Sequence, residues 1–115
     1  MLLKNMLTER PLNERCHDGA GRVINRRLFR QEDFTTKLAS FIRTEIPPGS
    51  SVGCHHHPHD EEVFVILEGE GILTVNEKEF VVGAGDVIVN QPGDSHGLKN
   101  DATKKIVILV FKCLQ

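Results

Sequence analysis

At 115 residues, with 39% hydrophobic and 26% charged residues and a formal net charge of −2, the chain is sized for one domain that buries roughly two thirds of the surface its unfolded form exposes. Acidic and basic residues are interspersed, which argues against a nucleic-acid stripe or a charged membrane anchor, and no apolar run reaches bilayer-spanning length. The N-terminus is too short and too charged for a signal peptide, and three cysteines without a C-x-x-C pair fit a reducing compartment better than a disulfide framework; a cytoplasmic protein without nucleic-acid or membrane partners is expected.

Residues 1 to 15 mix charged and apolar positions without a clean period, and Pro11 interrupts any helix, so this stretch reads as a mobile or draped arm. Gly19-Ala20-Gly21 marks a turn, and Arg22 to Phe29 an early strand whose Arg22, Arg26 and Arg27 suggest an anion site but read better as a solvated strand edge. His17 reads as a surface residue, with an extra metal ligand as the alternative. Residues 1–35 form the arm and first strands, and 36–115 the core. Leu38 to Ile46 alternates as a half-buried strand stopped by Pro47-Pro48-Gly49.

The next stretch concentrates chemistry. Four of the six histidines fall within five positions, in Cys54-His55-His56-His57-Pro58-His59, followed by Asp60, Glu61 and Glu62 and an apolar run to Gly69. On an extended strand His55 and His57 project to the same side, roughly 7 Å apart; His56 and Cys54 face the other way, and Cys54 is expected to be buried packing. A turn from Pro58 to Glu61 brings Glu62 back beside the two imidazoles, so one hairpin offers three ligands. A fourth must come from elsewhere, and of His17 and His96 the latter is the choice, because it opens a strand after the turn Gln91-Pro92-Gly93-Asp94. A purification tag is terminal and uninterrupted, unlike this cluster; a pH-sensitive surface loop and a purely structural metal are the other readings.

Between Glu62 and Glu68 both strand faces are apolar, which predicts a cover over Val63, Val65 and Leu67 by the arm or by a second subunit. Glu70-Gly71 turns the chain into Ile72 to Val75, and Asn76-Glu77-Lys78 makes a tight hairpin to Glu79 to Val82. Asp86 to Asn90 is a short strand. His96, Leu98 and Asn100 share the inward face of the next, and Ile106 to Phe111 closes the chain. Short strands with frequent turn signals and no helical period indicate an all-β sandwich or barrel.

The spacing Gly49, five residues, His55-x-His57, four residues, Glu62, six residues, Gly69 resembles the first motif of the cupins, and Gly85-Asp86 with Gly93, His96 and Asn100 resembles the second. The second departs in one place: Gln91 stands where a proline is usual, and Pro92 follows one position later. The resemblance implies a single-domain jelly-roll β-barrel in which His55, His57, Glu62 and His96 hold one divalent transition metal (Fe, Mn, Ni, Co, Cu or Zn), and it supports a homodimer. It implies a metal-dependent enzyme acting on a small oxygen-rich substrate, of dioxygenase or small-acid decarboxylase type. The alternatives are a non-catalytic binding or sensing module and a sugar isomerase or epimerase. His59, Glu61 and Asp94, on turns near the ligands, are the candidates for acid–base work.

Overall fold

Alternation of apolar and polar residues governs the chain from Val23 onward, and the computed structural model, which describes residues 1–115, converts it into ten strands. These are β1 (Leu12–Glu14), β2 (Val23–Arg30), β3 (Leu38–Ile46), β4 (Ser51–His56), β5 (Asp60–Glu68), β6 (Glu70–Val75), β7 (Lys78–Gly83), β8 (Val87–Asn90), β9 (Ser95–Lys99) and β10 (Ile106–Leu114). The only helical element is a 3₁₀ turn at Gln31–Asp33. The strands form two antiparallel sheets, ordered β1-β2-β3-β10-β5-β8 and β4-β9-β6-β7.

One apolar cluster lies between them, with Val23, Ile46, Phe64, Ile66, Ile106, Ile108 and Val110 from the larger sheet and Val52, Leu73, Val82 and Leu98 from the smaller. This is the two-sheet jelly roll expected for the all-β class. Asn100, fully buried, ties its rim together: its amide donates to the carbonyls of Ile46 and Lys104, and its Oδ1 accepts from Ala102 N–H. A buried amide is tolerated because each of its capacities is used.

Several boundaries differ from the sequence reading. The arm is not merely draped: Leu12–Glu14 pairs with the first three residues of β2, Val23–Asn25, and leaves the stretch that carries Arg26, Arg27 and Arg30 without a strand beyond it. The turn between β5 and β6 is Gly69 alone, at φ +87°, where an added Cβ would sit 2.4 Å from the Lys105 carbonyl oxygen; Glu70 and Gly71 already belong to β6. Asn76 and Glu77, both with positive φ, form a two-residue hairpin of the kind that matches strand twist, and Lys78 is already in β7. Cys54 is exposed, not packed, because the face opposite His55 on β4 is the solvent side of the smaller sheet. The displaced Pro92 stands before Gly93, at φ +93°, with Asp94 N–H donating to Gln91 C=O; Pro followed by Gly is the pair a type II turn favours.

Candidate metal centre

The strand period delivers His55 to the inner face of β4, as anticipated. His57 lies one residue past the end of β4, where its carbonyl accepts from Gly93 N–H and its own N–H donates to Asp94 C=O. The chain thus turns at His57 to His59, and Asp60 and Glu61 are already in β5; because β4 and β5 join different sheets, this turn crosses between the sheets and is not the single hairpin expected from sequence. Glu62 follows on the inward face of β5, in step with the buried Phe64 and Ile66. His96 comes from β9, directly opposite His55 in the β4–β9 register, and is fully buried.

The donor atoms of His55, His57, Glu62 and His96 all lie within 4.8 Å of one another. Glu62 Oε1 is 3.0 Å from His96 Nε2, 3.7 Å from His57 Nε2 and 4.0 Å from His55 Nε2. An ion with bonds of about 2.0–2.2 Å places neighbouring donors about 2.9 Å and opposite donors about 4.2 Å apart, so these separations fit an ion. The Nε2 atoms of His55 and His57 are buried without a hydrogen-bond partner, a costly state that a bound cation relieves.

Two of the rings are contacted from behind. His55 Nδ1 lies 2.7 Å from Gly53 C=O, which as an N–H donor leaves Nε2 with its lone pair toward the centre. His57 Nδ1 sits 2.7 Å from Asp60 Oδ1, a close carboxylate–imidazole contact that lacks hydrogen-bond geometry. Burial pushes the His55 pKa down to about 4, against a smaller upward pull from its bond to Gly53, so the ring is neutral near pH 7. Burial also pulls the Glu62 pKa upward, but the hydrogen bond from His96 and the neighbouring imidazoles outweigh it and hold the carboxyl below its ordinary range. A neutral imidazole at His55 and an ionised carboxylate at Glu62 are protonation states that metal binding requires.

The arm completes the wall. Segment 16–20 docks on β4 through Cys16 C=O, which accepts from both Gly19 and Gly53 N–H, and through Ser51 N–H donating to Ala20 C=O. The contact is so close that a Cβ on Gly53 would lie 2.0 Å from the His17 carbonyl oxygen. His17 and Asp18 take left-handed backbone angles, and the His17 ring stacks on His55 with centroids 3.4 Å apart. Burial lowers the pKa of His17 too.

A cavity of about 110 Å³ is lined by two of the four donors, His55 and Glu62, with His17, Asn25, Arg27, Val52 and Phe64 among its other walls. It continues toward an open cleft bordered by Glu14, Arg27, Arg30 and Lys112. His59 and Glu61 are exposed and border neither space. Asp94 lies in the 91–94 turn, its carboxylate accepting from Gln91 N–H and the Asn76 amide. Sequence reasoning did not single out Asp60, Asn25, Glu14 or Asn90. Asn90 faces Glu62 across β5–β8 and is buried with neither amide atom partnered.

The family model describing the cupin domain matches residues 42–112, more than half the chain, and this span contains all four candidate donors. The chain belongs to the cupin family. This cupin is 37% identical over 91 residues, 79% of its own length and 75% of the other's, to an oxalate-binding protein of Thermotoga maritima. It is 31% identical to an uncharacterised protein of Methanocaldococcus jannaschii, covering 75% of this chain and 69% of that one. Among solved structures, a protein of Thermotoga maritima described as a predicted oxalate decarboxylase superposes with a TM-score of 0.95 at 31% identity, covering 99% of this chain and 100% of that one. A polyketide cyclase of Streptomyces resistomycificus superposes at 0.80 with 22% identity, covering 100% and 80%; that likeness concerns the fold alone, which hosts different chemistries. No helix of this cupin is long and apolar enough to cross a membrane.

Proposed function

We propose that this cupin is a metal-dependent binder of a small dicarboxylate of the oxalate class, with the divalent ion held by His55, His57, Glu62 and His96. The observation that carries the reading is the convergence of these four donors, two of which, His55 and Glu62, line a cavity of about 110 Å³. At ~30 Å³ per water in the liquid, that volume suits a two-carbon diacid and is small for a sugar. The names of the Thermotoga relatives point to the same class.

A bound ion supplies Lewis acidity and open coordination positions for carboxylate oxygens. The chain supplies the rest. Gly53 orients one imidazole and Asp60 contacts another, burial keeps His55 neutral, and Ile42, Val52, Phe64 and Val110 give the cavity an apolar wall.

Calorimetric titration of oxalate into metal-loaded protein is expected to show saturable binding near one per chain that disappears on chelation. Absence of binding with every ion from Mn to Zn would sink the reading. Decarboxylation of the bound acid is the second reading, favoured by the name of the 0.95 TM-score neighbour. Carbon dioxide and formate released above a Glu62→Gln blank in the same samples would establish it.

The reading extends to a homodimer. On the outer face of the larger sheet, Phe41, Phe111, Val63 and Val89 stand in one register row and Leu109, Val65 and Val87 in the next. Leu67, Val87 and Val89 are 41%, 63% and 50% exposed. The arm pairs with β2, at the opposite end of the sheet from β8, so it does not cover them; a second copy presenting the same face does. Sedimentation velocity should give twice the 12.9 kDa chain mass, and Val87→Lys should shift the species toward monomer. A wild-type monomer at tens of micromolar would overturn the dimer.

A further inference from the structure

Arg27 is the only lysine or arginine lining the inner cavity, and it also borders the outer cleft. It therefore stands on the path between solvent and the four donors. Its Nη1 donates to Glu14 Oε1 at 2.5 Å. The same oxygen accepts from the Asn25 amide at 2.9 Å, and Asn25 Oδ1 accepts from Thr44 Oγ1 at 2.7 Å.

Asn25 and Thr44 are 5% and 4% exposed, so two buried polar side chains on the inner face of β2 and β3 are committed to fixing one carboxylate of the arm. That carboxylate in turn fixes the guanidinium. A half-exposed ion pair contributes little stability by itself, and the network is more than such a pair needs. A guanidinium carries five N–H donors in a rigid fork, and Glu14 is the only hydrogen-bond partner of this side chain. The remaining donors are free for an anion.

We infer that Arg27 receives the outward-facing carboxylate oxygens of a dianion bound at the metal centre, with Glu14 of the arm as its positioning residue. The inference rests on the proposed dicarboxylate reading and deepens it. The metal takes one end of the ligand's charge and Arg27 the other, so the site distinguishes a dicarboxylate from a monocarboxylate. The arm, through Glu14 on one side and His17 on the other, then belongs to the binding site and does more than cap the sheet.

The test titrates oxalate and acetate into wild type, Arg27→Met, Arg27→Lys and Glu14→Gln, each loaded with the ion the wild type retains and each checked for metal content and melting temperature. Methionine keeps most of the aliphatic stem and lysine keeps the charge without the fork. Oxalate affinity is expected to fall about tenfold to a hundredfold in Arg27→Met, less in Arg27→Lys and Glu14→Gln, while metal content and the weaker acetate binding stay the same. Equal oxalate affinity in wild type and Arg27→Met overturns the inference and leaves the dicarboxylate reading standing. A parallel loss of acetate binding or of metal also overturns it, since Arg27 would then be supporting the site as a whole. Wild-type protein that binds no oxalate overturns both.

Discussion

Replacing His57 by alanine is expected to reduce tightly bound divalent metal from about one equivalent per chain to background, measured by elemental analysis of untagged protein. His57 contributes a buried Nε2 with no partner inside the protein, and its ring is contacted by Asp60 from behind. Removing it leaves a gap that water must fill, and the Asp60 carboxylate loses the ring it contacts. The effect reaches stability through mass action. A ligand that binds only the folded chain, at a hundredfold excess over its dissociation constant, stabilises by about 2.7 kcal/mol. Chelation should therefore lower the melting temperature of wild type and leave that of His57→Ala unmoved. His59→Ala is the matched control, because His59 is exposed and borders neither the cavity nor the cleft. Equal metal in wild type and His57→Ala would remove the assignment.

The metal-free protein is expected to lose stability as the pH falls from about 6.5 toward 4. His55 has a folded pKa of about 4 against an ordinary value of 6.5. Between those values the unfolded chain binds a proton that the folded chain refuses, so acidification favours unfolding. The stabilising difference is complete above the unfolded value and is lost on the way down to the folded one. At ~1.4 kcal/mol per pH unit the loss from this ring is on the order of 3 kcal/mol. His17, whose pKa burial also lowers, adds in the same direction. Glu62, held below its ordinary range, continues the trend in a more acidic window. Urea titrations of chelated wild type and His55→Asn across this range should show a steep and a shallow dependence respectively. Equal slopes would show that His55 titrates normally in the fold.

The convergence of the four candidate donors was legible in sequence because it rests on short-range rules. Period-two alternation puts His55 and Glu62 on inner faces and a brief turn carries the chain from one to the other, while the turn Gln91-Pro92-Gly93-Asp94 marks His96 as the start of a further strand. The strand bounds of β3 were equally plain, since Pro47-Pro48-Gly49 stops the chain. What sequence did not show is set by contacts between distant segments. Arg27 reads as a residue on a solvated edge because nothing local announces that its side chain lines the inner cavity and meets Glu14 of the arm. His17 looked peripheral because its place depends on the absence of a Cβ at Gly53, thirty-six residues away. Cys54 was read as packed because neighbouring apolar strands suggest burial on both faces, whereas the smaller sheet leaves its outer face open. Asn90 gives no local signal; its importance lies in facing Glu62 across two strands.

His55 and His96 stand on the smaller sheet and Glu62 on the larger, with 34 residues of chain between Glu62 and its hydrogen-bonding partner His96. Neither sheet alone presents the full donor set. A nascent chain that extends only through β5 offers two imidazoles and a carboxylate on two strands bound for different sheets, joined by the 57–59 turn, where a cation is held weakly and exchanged freely. High-affinity loading has to wait until β9 has crossed to its place beside β4. On the proposed metal reading, retention of an ion through dialysis would report that the two sheets have closed.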